Sequence, residues 1–257
     1  QTFTFFWDKF EKSNYFLNNI INTADQPLDS RKVNFLLTTP QQDGGQWDML
    51  CALIEKYGIV PKSAMPETYN SNMSSEINAA LNTQLRHDAV ILRKLVNDGQ
   101  SEEIINAKRD DMMNEIYRML VFAFGVPVDK FNFEYRDADK NYHIDKDLTP
   151  KDFFKKYINL DLEEYVSIIN SPTADKPFNK TYTVEMLGNV VGGRDVKHFN
   201  LPIERLKELT IKQLQAGETV WFGSDVSMDS DRKAGILDTD LYHIDDLMHT
   251  DNSLTKA

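Results

Sequence analysis

Asp43-Gly44-Gly45-Gln46-Trp47-Asp48-Met49-Leu50-Cys51-Ala52-Leu53-Ile54-Glu55-Lys56-Tyr57-Gly58 is the stretch from which the rest of the chain is read. Trp47, Leu50, Cys51, Ile54 and Tyr57 recur at three- and four-residue steps, so they share one side of a helix. Gly58 supplies the left-handed stop that helices commonly use, and Asp43 and Gln46 have capping-box spacing. The paired glycines ahead of the helix allow two readings. They let a ligand or a neighbouring backbone approach the main chain closely, or they make a tight turn that feeds the helix.

Upstream, Phe3, Phe6, Trp7, Phe10, Phe16, Leu17, Ile20 and Ile21 mark a long amphipathic helix, and Val33 to Leu37 a short one before Pro40. Downstream, Met73 to Val96 and Glu102 to Phe124 read as helices broken at Asn97-Asp98-Gly99. The pattern changes after Gly125. Phe131, Phe133 and Tyr135 alternate, Asp137 to Lys140 is a polar turn, and Tyr142 and Ile144 alternate again, which predicts a β-hairpin. Thr149-Pro150-Lys151-Asp152 opens a short helix to Tyr157. Tyr165 to Ile169 and Thr181 to Val184 read as strands, Pro202 to Gln215 as a helix stopping at Gly217, and Thr219 to Phe222 as a buried strand. The expectation is an α+β protein with a mainly helical part over residues 1–125 and a mixed part over 126–257.

Composition narrows the function classes. The 257 residues carry 29 Lys and Arg against 40 Asp and Glu, a net charge of −11, with 41% hydrophobic residues, which is ordinary for a globular protein. The acidic balance repels a phosphate backbone, and the best basic cluster, Lys151, Lys155 and Lys156, is only a short face, so nucleic acid is not an expected partner. The longest apolar runs, such as Met119 to Phe124, are far shorter than the roughly 20 residues of a membrane span. A single cysteine fits a reducing compartment, and the cytoplasm is the default location. Gln at position 1 and a chain that enters a helical pattern at once give the expectation of a segment cut from something longer.

Few common catalytic handles are present. One cysteine excludes a thiol-ligated structural zinc site, and there is no His-Glu-x-x-His, phosphate loop, dinucleotide fingerprint or nucleophile elbow. Asp225, Asp229, Asp231, Asp238 and Asp240 lack the glycine and bidentate glutamate of a calcium loop and read as a solvated acidic loop, so no metal site is expected. Cys51 and His198, 147 residues apart, have the spacing of a cysteine-peptidase pair. Cys51 nevertheless sits mid-helix among apolar neighbours and reads as a core thiol, and His198 reads as a surface residue. His87, His143, His243 and His249 are scattered, and Gly192-Gly193-Arg194 reads as a turn.

Taken together, Phe5-Phe6-Trp7-Asp8-Lys9, Asp43 to Leu50 with Glu55-Lys56-Tyr57-Gly58, Met65-Pro66-Glu67-Thr68-Tyr69, Glu134-Tyr135-Arg136-Asp137, Val191-Gly192-Gly193-Arg194 and Val220-Trp221-Phe222-Gly223-Ser224-Asp225-Val226 resemble the bleomycin hydrolase and aminopeptidase C family, in its bacterial branch. The resemblance implies an incomplete papain-like cysteine peptidase fold, aminopeptidase action on peptides without a cofactor, a cytoplasmic location and a homo-hexameric ring. By the same resemblance Gly44 and Gly45 pair through their main chain with substrate beside the second specificity pocket, and Gln46 and Trp47 border that pocket. The family's Gln-Gly-x-Cys-Trp and its His and Asn-Ser-Trp motifs do not occur in these residues, so no catalytic residue is assigned and the segment alone is expected to be inactive. The alternative from a different class is a non-catalytic scaffold or assembly protein on the same fold.

Overall fold

The computed structural model describes residues 1–224, 229–238 and 241. The chain divides into two compact units, one of residues 1–165 with 183–197 and the other of residues 166–182 with 198–257.

The first unit is built on α1 (Thr2–Asn22), followed by α2 (Arg31–Thr38), α3 (Trp47–Tyr57), α4 (Tyr69–Asn72), α5 (Ser75–Asn97) and α6 (Glu102–Phe124). The periodic apolar residues of the sequence become its core. Phe6, Leu17 and Ile20 of α1 are sealed against Leu81, Leu85 and Leu92 of α5 and Ile116 and Leu120 of α6. Burying each such side chain contributes about 1.5–3 kcal/mol, which is what fixes three long helices to one another. Ser30 and Ser101 cap α2 and α6 by accepting from the N–H groups of Val33 and Ile104.

After α6 comes the expected hairpin, β1 (Phe131–Arg136) antiparallel to β2 (Tyr142–Leu148), with a bulge that shifts the register between Phe131 and Phe133. Phe131 and Phe133 pack edge-on against Phe153 of α7 (Pro150–Phe153). Thr149 and Asp152 form the capping box read from the sequence, and the helix runs on as a π-turn, Phe154–Ile158, ended by Asn159 at φ 51°. Gly58, at the end of α3, meets α7 at close range. A β-carbon there would lie 2.3 Å from the main-chain carbon of Pro150, and Ile59 N–H donates to Pro150 O at 3.2 Å. With φ of 73°, the position admits only glycine on both counts.

In the second unit β3 (Ile168–Ile169), β4 (Lys180–Thr183) and β5 (Lys197–Asn200) form a sheet in the order β3-β5-β4. The pair β3 and β5 is parallel, with Ile168 opposite Phe199. Asn200 is buried and closes a loop on itself: its Oδ1 accepts from Ser171 N–H, and its Nδ2 donates to the carbonyls of Ser171 and Lys176. Then come α8 (Ile203–Gln215) and the small antiparallel pair β6 (Ser230–Asp231) and β7 (Ile236–Leu237). No helix among the described residues is long and apolar enough to cross a membrane.

Three readings need correction. Thr219 to Phe222 is neither a strand nor buried: Phe222 is 80% exposed, and Thr219 O accepts from Gln213 Nε2, so this main chain closes the end of α8 instead of lying beside a strand. The strand expected over Tyr165 to Ile169 shrinks to its last two residues, because Leu162–Glu164 is a turn of 3-10 helix. The central strand β5, Lys-His-Phe-Asn, was missed because its polar residues carry no alternation. It holds His198, which is half-buried and not a surface residue.

Gly58→Ala should destabilise the protein by about 2–5 kcal/mol, from the left-handed backbone and the overlap with Pro150 together. Urea unfolding of the variant beside the parent measures the loss.

Candidate functional site

The residues around Gly44 and Gly45 line a groove of about 180 Å³ whose walls come from α1, α2, the start of α3 and residues 186–188. Tyr15, Phe35, Leu36, Met49, Met186 and Leu187 supply its apolar side and Lys12, Gly44, Gly45 and Gln46 its polar rim, and the lining is about as polar as it is apolar.

Two buried lysines of α1 hold the rim. Lys9, 1% exposed, donates to Gln42 O at 3.1 Å and to Asp43 Oδ1 at 2.6 Å. Lys12 donates to Asp8 Oδ2, Gln42 O and Gly44 O at 2.6, 3.0 and 2.8 Å. One residue earlier, Gln41 is buried and stapled on both sides. Its Nε2 donates to Lys9 O and Ser13 Oγ, and its main chain exchanges two bonds with the Asn82 side chain on α5.

Asp43 does not form the capping box expected with Gln46. The N-cap of α3 is Gln46, without a side-chain cap, and the Asp43 carboxylate instead accepts from Lys9, Ser74 and Asn78. A buried ammonium has a stronger claim on a carboxylate than a solvated helix end does. Partial burial acts to raise the Asp43 pKa, but the bonds from Asn78, Lys9 and Ser74 outweigh it and hold the group at about 2. Burial lowers the Lys9 pKa, and Asp43 opposes that shift.

The glycines themselves are open. Neither has a left-handed φ; a β-carbon on Gly45 would meet nothing within 4 Å, and one on Gly44 only Gln42, at 4.0 Å. The tight-turn reading therefore loses its usual physical reasons. Gly44 O is taken by Lys12, whereas the N–H and C=O of Gly45 have no hydrogen-bond partner among the described residues. Gln46 is half-buried at the rim, and Trp47 is half-buried with its ring 5.5 Å from that of Tyr165.

Helix α3 is held from two directions. Trp7 stacks on Tyr57 at 3.9 Å, and the buried carboxylate of Glu11 accepts from Lys56 Nζ at 2.7 Å and from the Tyr57 hydroxyl. On another side, Asn189 donates to Met49 O, Arg194 pairs with Glu55 and Glu163, and Lys197 N–H donates to Asp48. Gly192 and Gly193 lie in a turn closed by a bond from Gly193 N–H to Val190 O. Sequence reasoning missed these partners because each lies more than 130 positions from α3.

Cys51 is fully buried on α3, and desolvation pushes its thiol up to about 11, the opposite of what a nucleophile needs. Nδ1 of His198 is buried without a hydrogen-bond partner among the described residues. Of the acidic stretch, Asp225 and Asp240 lie outside the described residues, as do His243 and His249, and Asp231 Oδ1 accepts from the N–H groups of Lys233 and Ala234 in a turn. Among the described residues no three His, Cys, Asp or Glu side chains gather as a metal site would require.

Two outcomes follow. The native protein should leave Cys51 unmodified by a thiol reagent near neutral pH, and denatured protein should react at its one cysteine. Because Asp43 has a depressed pKa, its stabilising contribution is whole above about pH 4 and is lost as pH falls through about 2. Asp43→Asn should thus lower stability near neutral pH by about 1–3 kcal/mol. It should also flatten the loss of stability on acidification, as read from urea midpoints at several pH values.

Comparison with known proteins gives one consistent picture. The chain is 60% identical over all 257 residues to aminopeptidase C of Lactobacillus delbrueckii subsp. lactis and 58% identical to that of Lactobacillus helveticus, covering 57% of each. The crystal structure of PepW from Lactobacillus rhamnosis HN001 (DR20) superposes on it with a TM-score of 0.94 at 66% identity, over 99% of this chain and 57% of PepW. The chain thus spans a little over half the length of these relatives. Residues 1–257 match the Peptidase C1-like family throughout, and the chain belongs to that family.

Proposed function

We propose that this chain is the central portion of a cysteine aminopeptidase that releases N-terminal residues from peptides, and that its share of the work is recognition of the peptide main chain at Gly44 and Gly45. The observation that carries the reading is the open main chain of Gly45, which lies on the rim of a groove of mixed polarity with a donor and an acceptor unused by the chain's own described residues. An extended peptide offers the matching acceptor and donor, as in strand addition. Gln46 lines the same groove, whereas Trp47 does not and keeps its assignment beside the pocket from the family resemblance alone.

In the complete enzyme, a thiolate attacks the amide carbonyl, the shortened peptide leaves as the amine, and water hydrolyses the acyl-enzyme. The 257 residues contain no Gln-Gly-x-Cys-Trp, and Cys51 is sealed in the core, so this chain by itself is inactive. The homo-hexameric ring and the cytoplasmic location implied by the family resemblance belong to this reading.

A cysteine-directed irreversible inhibitor should label the complete aminopeptidase at a cysteine other than Cys51. Replacing Gly45 by valine should leave the fold intact, since a β-carbon there meets nothing within 4 Å among the described residues, and should lower kcat/KM about tenfold or more. An unchanged kcat/KM would remove Gly45 from the peptide contact.

A further inference from the structure

The Lys12 ammonium carries three protons and faces three oxygens, Asp8 Oδ2, Gln42 O and Gly44 O. Its side chain is 8% exposed. An ammonium is a compact cation with three donors and no acceptor, so this environment saturates it. Nothing is left over for a ligand, and Lys12 does not act by charge on what enters the groove. What it does is commit the Gly44 carbonyl to α1.

That commitment decides which main-chain groups the rim can offer. With Gly44 O taken, Gly45 is the member of the glycine pair whose N–H and C=O both remain unused among the described residues, as those of Thr39, Met186 and Gly188 elsewhere on the groove do. The tie is also braced from behind. Asp8, which balances the Lys12 charge, accepts at its other oxygen from Asn189 Nδ2 at 3.2 Å, and Asn189 donates as well to Met49 O at 3.0 Å. The glycine pair is thereby fixed on its upstream side through Gln42 and on its downstream side through the first turn of α3. Lys9 differs from Lys12 in that it reaches Gln42 and Asp43 but not a glycine.

We propose that Lys12 is a positioning residue for peptide recognition: by holding the Gly44 carbonyl against α1, it presents Gly45 to the groove as a main-chain donor and acceptor. The proposal rests on the reading of Gly45 as a peptide contact. It predicts a specific kinetic signature, because a misplaced rim weakens binding of the peptide without touching the reacting groups.

The experiment is steady-state kinetics of the complete aminopeptidase on a short peptide, comparing Lys12→Met, Lys12→Arg, Gly45→Val and, as a control for the loss of a lysine ion pair away from the groove, Lys94→Met on α5. Lys12→Met should raise KM about tenfold with kcat within about twofold of the parent. Lys12→Arg should raise KM too, because a planar guanidinium cannot reproduce the three-way contact. Lys94→Met should leave KM unchanged. Should Lys12→Met fail to fold, Lys12→Gln, whose amide nitrogen falls one atom short and has two donors for three oxygens, carries the same expectation. If Gly45→Val raises KM while the folded Lys12 variants do not, the Lys12 proposal is wrong and the Gly45 contact stands. If Gly45→Val has no effect, the contact itself is wrong. A fall in kcat at constant KM in the Lys12 variants would reduce Lys12 to a structural role and overturn the proposal.

Discussion

Everything around the groove hangs on two ammonium groups buried in the first helix. Desolvating a lysine costs several kcal/mol, and the cost is offset only where the ion finds a full set of oxygens. Lys9 and Lys12 find theirs in Asp8, Asp43 and the carbonyls of Gln42 and Gly44. The same bonds that make the buried charges tolerable therefore dictate the path of residues 42–44. Removing either lysine would take from the loop the donors that tie its carbonyls to α1.

A rigid loop matters because it belongs to no regular element. Residues 39–46 run between α2 and α3 with no repeating hydrogen-bond ladder, and the peptide recognition proposed for them would need donors and acceptors placed to a fraction of an ångström. The chain meets that need from outside the loop. Gln41 is stapled to α1 and α5, Gln42 and Gly44 are held by lysines, and α3 is pinned by Glu11 from one direction and by residues 189–197 from another. The two glycines then need no conformational freedom of their own, which agrees with their ordinary backbone angles.

The long helices, the hairpin and the Thr149 cap were legible because each rests on local signals: period, alternation and a capping residue within three positions. The groove was not. Lys9 and Lys12 read as charged residues interrupting an apolar face, and nothing local says that their heads bend inward to carbonyls some 30 positions away. Asp43 was misread for the same reason: the sequence offers it a helix end four residues on, whereas the fold offers it an ammonium. The resemblance to a known family singled out Gly44 and Gly45, and the three-dimensional setting adds only that neither has the backbone angle or the close approach for which a turn would need glycine. The run at Thr219 failed in the opposite sense, since β-branched and aromatic composition reports fitness for a pleated surface and not the presence of a neighbouring strand.

The first compact unit is also discontinuous in sequence, since residues 183–197 return to it after an excursion through residues 166–182. During synthesis from the N-terminus, α1, α5 and α6 can pack as soon as they emerge, because their contacts lie within the first half of the chain. Helix α3 cannot finish. Its bonds to Asn189, Arg194 and Lys197 wait until some 140 further residues have been made. The Met49 carbonyl and the Asp48 and Glu55 carboxylates thus spend the interval on the nascent chain without these partners. The order of the sequence makes this face of α3 among the last parts of the first unit to close.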